Sequence, residues 1–182
     1  MKFIPTKLAG AYIIELEPIK DDRGFFGRSW CHQEFIQQGL NPHVVQCNIS
    51  FNSQRGIIRG MHYQVAPHEE VKLVRCTRGS IYDVIIDLRP DSATFKQWTS
   101  IELTVNNHLA LYLPAGFAHG FQTLEPETEV FYQMSEFYHP ESARGLRWND
   151  PTFGVNWRLK PVMISDRDQS YPDFLPDEIL KF

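Results

Sequence analysis

Cysteine is scarce. Cys31, Cys47 and Cys76 are the only three in 182 residues, an odd number at spacings that no metal knuckle uses. A disulfide framework is thereby excluded, and reduced, mostly buried thiols are expected. A basic surplus is also missing, since 18 lysines and arginines face 22 acidic residues for a net charge of −4. A nucleic-acid surface needs clustered cations to displace phosphate counterions, so nucleic acid is excluded as a partner, although a local basic site for one small anion is not. No apolar run reaches the length of a bilayer span, and Met1-Lys2-Phe3-Ile4-Pro5-Thr6-Lys7 turns polar too soon for a secretory signal. A cytoplasmic protein with no membrane partner is expected. Repeats and low-complexity tracts are absent. Helical patterning is confined to Cys31–Leu40, where Phe35 and Ile36 share a face and Gly39 is placed to stop the helix.

What the chain does have is a succession of short runs rich in β-branched and aromatic residues. They are Ala11–Leu16, Val44–Ser50, Val71–Cys76, Ser80–Asp87, Gln97–Leu103, His108–Leu113 and Thr128–Met134. Turn chemistry separates them at Arg78-Gly79, Arg89-Pro90-Asp91-Ser92, Asn106-Asn107 and Pro114-Ala115-Gly116. Such spacing predicts an all-β sandwich or barrel with a few short helices. The length suits a single core, so one domain spanning 1–182 is expected. From Glu141 onward, Asp150-Pro151, Lys160-Pro161 and Tyr171-Pro172 make long regular elements unsafe, and 141–182 reads as a tail wrapping the barrel.

Two segments join polar residues to strand-like surroundings: Arg55-Gly56-Ile57-Ile58-Arg59-Gly60-Met61-His62-Tyr63-Gln64 and Tyr112-Leu113-Pro114-Ala115-Gly116-Phe117-Ala118-His119-Gly120. The second matches the Pro-x-Gly-x-x-His turn of cupin barrels, in which the turn delivers a histidine, here His119, into the interior. In the first, His62 and Gln64 lie two apart and so on one face of a strand. Metal-binding cupins place His-x-His and then Glu in this half. With Gln64 in the second position, the remaining candidates are His62, His119 and either Glu69 or Glu70. An amide oxygen replaces imidazole poorly on a transition metal, so no metal is expected. A metal-dependent oxygenase or isomerase is the alternative that this set would serve.

With Asp22-Arg23-Gly24-Phe25-Phe26, Lys72 and Gly145-Leu146-Arg147-Trp148-Asn149-Asp150-Pro151 added, the chain resembles the dTDP-4-dehydrorhamnose 3,5-epimerase family from about residue 2 to about residue 173. The resemblance implies a cupin (jelly-roll) fold and no cofactor. It also implies inversion of C5 and C3 in a nucleotide-diphosphate-linked 4-keto-6-deoxyhexose through an enolate, with inversion of a single centre, on a different nucleotide sugar, as the alternative. Such an inversion needs a base, an acid across the ring and a holder for the oxyanion. A non-catalytic nucleotide-sugar module, which the fold also permits, needs no opposed acid.

By that resemblance His62 is the base, imidazole being suited to taking protons near neutral pH. Asp168 is its carboxylate partner, with Asp166 the near alternative. Tyr132 is the opposing acid, and Lys72 stands at the keto oxygen. Arg59 meets the diphosphate and Asp83 balances interior charge, while His119, Tyr138 and Gln46 complete the substrate-binding set. Arg23 and Phe26 reach the nucleotide from a neighbouring subunit, which implies a homodimer. Read without the resemblance, Lys72 and Asp83 are exposed strand residues and Tyr132 a core tyrosine. Tyr132 and Tyr138 share a face if their strand continues through both. Two positions depart from the family pattern, Arg28 where Glu is usual and Ile49 where many members carry His. Glu accepts from a base N–H whereas Arg only donates, so a base other than thymine stays open.

Overall fold

The computed structural model describes residues 1–175. Thirteen strands and two short helices run in the order β1 (Lys2–Pro5), β2 (Tyr12–Glu15), β3 (Ile19–Asp21), β4 (Gly24–Phe26), α1 (His32–Gln37), β5 (Gln46–Asn52), β6 (Ile58–Gln64), β7 (Lys72–Arg78), β8 (Ser80–Asp87), β9 (Trp98–Thr104), β10 (Ala110–Leu113), β11 (Phe117–Thr123), β12 (Thr128–Met134), β13 (Ala143–Gly145) and α2 (Asp166–Ser170). One antiparallel sheet has the order β1-β2-β10-β7-β12-β5 and a second the order β13-β6-β11-β8-β9, while β3 and β4 form a separate hairpin. Apart from β1–β2 and β8–β9, neighbours in each sheet are not consecutive in the chain, as in a jelly roll. No helix among the described residues is long and apolar enough to cross a membrane.

Strand alternation builds three apolar layers. Between the sheets, Val74, Cys76, Leu111, Leu113 and Val130 meet Ile81, Ile85, Phe117 and Phe121. The intervening residues of β7 and β10, Leu73, Ala110 and Tyr112, face outward with Ile14 of the adjoining β2 and are covered by Phe35 of α1. On the opposite sheet, Tyr82, Val84 and Ile86 of β8 are covered by Leu146, Phe153 and Phe174 from the C-terminal segment. β8 is therefore buried along its whole length, which explains its almost unbroken apolar sequence. Within the described residues the contacts of this segment with β8 run through Leu146, Phe153 and Phe174; positions 176–182 of the expected tail lie outside the described residues.

Several sequence expectations need correction. In α1 only Phe35 is buried, whereas Ile36, one step further round the helix, is exposed. Only Cys76 of the three cysteines is buried, and desolvation pushes its thiol up to about 12; Cys47 is exposed on the edge strand β5. Lys72 and Asp83 are buried, so it is the reading made without the resemblance, with both facing solvent, that fails. Each shares a strand face with residues of the middle layer, Lys72 with Val74 and Cys76, and Asp83 with Ile81 and Ile85. β12 ends at Met134, so Tyr138 belongs to the following loop and not to the strand of Tyr132.

Candidate active site

One end of the inter-sheet space opens into a cavity of about 290 Å³ that both sheets line. His62 and His119 are paired opposite each other in the β6–β11 ladder, which then slips by a residue between His119 and Phe121. Arg59 and His62 are three apart and would face opposite sides of a regular strand, but the extra residue lets both line the cavity. Gly60 makes the slip possible. Its φ is +119°, and a Cβ there would lie 2.6 Å from Gly120 Cα and 2.7 Å from the His119 carbonyl oxygen.

Two histidine–aspartate pairs result. The His62 Nε2 lies 2.7 Å from Asp168 Oδ1, and the other carboxylate oxygen accepts the Gly60 N–H at 3.0 Å. Asp168 therefore fixes the ring and the bulge together. It is presented by α2, whose cap residue Ser165 accepts the Asp168 N–H. Burial alone would raise the Asp168 carboxyl, but the His62 hydrogen bond and charge and the Gly60 N–H outweigh it and hold the group below its ordinary range. Asp166 is exposed, so the geometry separates the two aspartates. In the second pair His119 Nε2 lies 2.7 Å from Asp83 Oδ1, with both groups buried.

Tyr132 enters the same cavity from the opposite sheet, its ring 5.9 Å from that of His119 in an edge-on arrangement. Burial, with the Asp83 charge adding to it, pushes its phenol well above the usual tyrosine range. No hydrogen bond to its hydroxyl is made among the described residues. Lys72, also from the six-stranded sheet, is ion-paired with Glu70 at 2.6 Å. Tyr138 lines the mouth, and its hydroxyl lies 3.4 Å from an Arg167 nitrogen.

Four of the expected substrate residues do not line this cavity, one of them Asp83, which stands behind His119. Gln46 lies outside its lining and directs its amide towards the Met134 sulfur. Arg23 and Phe26 lie on the β3–β4 hairpin, Arg23 paired with Asp21 and Phe26 74% exposed. Of the two departures, Arg28 is paired with Glu34, while Ile49 lines the cavity.

Conversely, Arg144, Arg167 and Tyr171 line the cavity without having been picked out from the sequence. Arg167 precedes Asp168 in the same turn of α2, which was a usable signal. Tyr171 packs edge-on to His62 with ring centres 6.0 Å apart. It fits only because residue 145 is glycine, where a Cβ would collide with the tyrosine ring.

The residues present do not suit a cupin metal centre. Nε2 of each cavity histidine faces a carboxylate. Gln64 is also committed, its amide nitrogen donating to the His68 and Phe137 carbonyls and its oxygen accepting the His139 N–H. Among the described residues the donors close enough to share an ion are His68, His139 and Glu141, none of which lines the cavity.

A two-sheet barrel whose mouth holds a half-open imidazole, a partly buried phenol on the facing sheet and a buried ammonium defines a cupin-type isomerase site, equipped to move protons. The comparisons narrow the class. Residues 5–175 match the family model described as dTDP-4-dehydrorhamnose 3,5-epimerase. A relative of that name from Methanothermobacter thermautotrophicus is 42% identical over 93% of this chain and 92% of its own length. The crystal structure of the Bacillus anthracis enzyme with TDP and pyrophosphate bound superposes with TM-score 0.92 at 40% identity, covering 95% of this chain and 99% of that one. A Legionella pneumophila 3,5-epimerase in complex with dTDP-4-keto-L-rhamnose gives TM-score 0.91 at 33% identity, covering 99% and 97%. The chain belongs to the dTDP-4-dehydrorhamnose 3,5-epimerase family and is an epimerase, hence an isomerase.

Proposed function

We propose that the chain inverts C5 and C3 of a dTDP-linked 4-keto-6-deoxyhexose, of the kind named for its relatives, by deprotonation and reprotonation on opposite faces. The observation that carries this reading is that His62 and Tyr132 reach one cavity from opposite sheets. His62 takes the proton from the carbon beside the ketone, leaving the bonding electrons as an enolate. Asp168, on the far ring nitrogen, favours the imidazolium so formed. Lys72 faces the oxyanion. Tyr132 gives its O–H proton to the carbon from the other side, and solvent then restores the phenol and removes the proton from His62. A phenol held well above its usual range keeps its proton until a carbanion is present to take it.

Arg59 serves the diphosphate. Its Nε donates to Asn52 Oδ1 at 2.7 Å and one terminal nitrogen lies 3.4 Å from the Phe51 carbonyl, so its positive charge is not cancelled by a carboxylate. His119, Asp83 and Tyr138 shape the sugar site. The working unit is a homodimer in which Arg23, Phe26 and Gln46 serve the nucleotide end, the hairpin residues reaching it from the neighbouring subunit. In support, Phe25 and Phe26 of the hairpin and Ile49 and Phe51 of edge strand β5 are exposed. Each chain acts as one cytoplasmic domain. Incubation with dTDP-4-keto-6-deoxyglucose in heavy water, read by NMR, is expected to give the inverted sugar with deuterium at C3 and C5. No exchange at either carbon would contradict the proposal.

A further inference from the structure

We propose that Glu70 sets the register of substrate binding by cancelling the charge of Lys72, so that the diphosphate is drawn to the guanidiniums at the cavity mouth and not to the ammonium inside. This inference rests on the epimerase reading. A cavity offering several equally free cations would let a highly charged diphosphate bind at any of them, and binding at Lys72 would place phosphate where the ketone belongs.

The cations lining the cavity are not equally free. Arg59 is held by the neutral oxygens of Asn52 and Phe51. Arg144 donates to the carbonyls of Glu141 and Ala143, and Arg167 to the hydroxyls of Tyr171 and Tyr138. Among the described residues none of these three is ion-paired. Lys72 alone is, with its Nζ 2.6 Å from Glu70 Oε1 and both side chains 7% exposed.

Glu70 has no competing structural duty that would explain its charge. Its second oxygen is buried without any hydrogen-bond partner, a costly state for a carboxylate. The buried Asp87 offers the contrast. Both of its oxygens are satisfied, by Arg89, Ser92 and Thr94, and it ties down a surface loop. Glu70 lies in the loop before β7 and lines the cavity beside Lys72, where its one partner is that ammonium. The pair is electrically neutral towards an approaching anion. Over the shorter distance to a ketone at the lysine, the ammonium still presents its N–H donors to a developing oxyanion.

The test uses inorganic pyrophosphate as the probe, with affinity measured by calorimetry on the full chain and on three variants. Glu70→Gln preserves shape and frees the lysine charge, so pyrophosphate is expected to bind about tenfold tighter. Lys72→Met leaves an unopposed carboxylate and should weaken it. Glu70→Gln combined with Lys72→Met restores neutrality and should return affinity to within about twofold of the parent. In turnover, Glu70→Gln is expected to lower kcat and KM together, the mark of non-productive binding. A flat pyrophosphate series would overturn the role of Glu70, even with turnover intact. If Glu70→Gln fails to fold, Lys72→Met against the double variant still decides, because equal pyrophosphate affinity in those two would overturn it as well. Failure of the parent to turn over dTDP-linked 4-ketosugars would count against the epimerase reading without touching the pyrophosphate series.

Discussion

The two histidine–aspartate pairs are chemically alike, each closing at 2.7 Å through Nε2, and their histidines face each other across one ladder. They differ in access. The His62 side chain is 43% exposed and that of His119 only 5%. They differ also in where the carboxylate comes from. Asp83 belongs to the same sheet as His119, whereas Asp168 is delivered from α2, more than a hundred residues along the chain from its histidine. On the proposed mechanism the open pair exchanges protons with a ligand and with water, while the less accessible pair holds shape and charge behind it. Identical hydrogen bonds thus acquire different duties from their surroundings, and each duty can be broken separately.

The largest effect is expected on turnover. His62→Ala should lower kcat by about 10² to 10⁴, the usual worth of a general base, while dTDP affinity measured by calorimetry stays nearly unchanged. His119→Ala should affect turnover less and folding more, which steady-state kinetics beside thermal melts would reveal. Arg59→Ala is expected to act mainly on binding, weakening dTDP affinity by about tenfold or more while kcat at saturation changes little.

The less accessible pair should show itself in stability. Asp83→Ala leaves a buried imidazole without its partner and should cost about 1–3 kcal/mol in chemical denaturation. The smallest effect concerns pH. The Asp168 carboxyl is held below its ordinary value of 3.8 in the folded chain, so its stabilising contribution is complete above that value and is lost as pH falls through the folded one. The stability gap between the parent and Asp168→Asn should accordingly narrow below about pH 4. A gap that widened on acidification would reverse the sign assigned here.

Much of the fold was legible because β-branched and aromatic runs set between turn residues leave a strong signature. The strands Ser80–Asp87 and Thr128–Met134 have the same bounds in the sequence pattern as in the structure. The short elements β1, β3, β4, β13 and α2 carry too few residues for any period to register. The site divides the same way. The turn before His119 and the segment around His62 were readable, since each encodes a local geometry. The burial of Lys72 and Asp83 was not, because alternation says which residues share a face and not whether that face is wet. Nor did strand periodicity foresee that a one-residue slip at Gly60 would bring Arg59 and His62 to the same side. Arg144 lies on β13, too short to show a period, and the Glu70–Lys72 pair forms where the loop before β7 turns its carboxylate onto the first residue of that strand, which residue spacing does not announce.

In the proposed reaction a proton leaves the sugar towards His62 and returns from Tyr132. Solvent exchange and inversion, measured side by side in heavy water for the parent, His62→Ala and Tyr132→Phe, test it most directly. The account predicts that Tyr132→Phe still exchanges the carbon-bound proton beside the ketone but scarcely inverts the centre, and that His62→Ala does neither. Inversion by Tyr132→Phe at the parental rate, or undiminished exchange by His62→Ala, would contradict it.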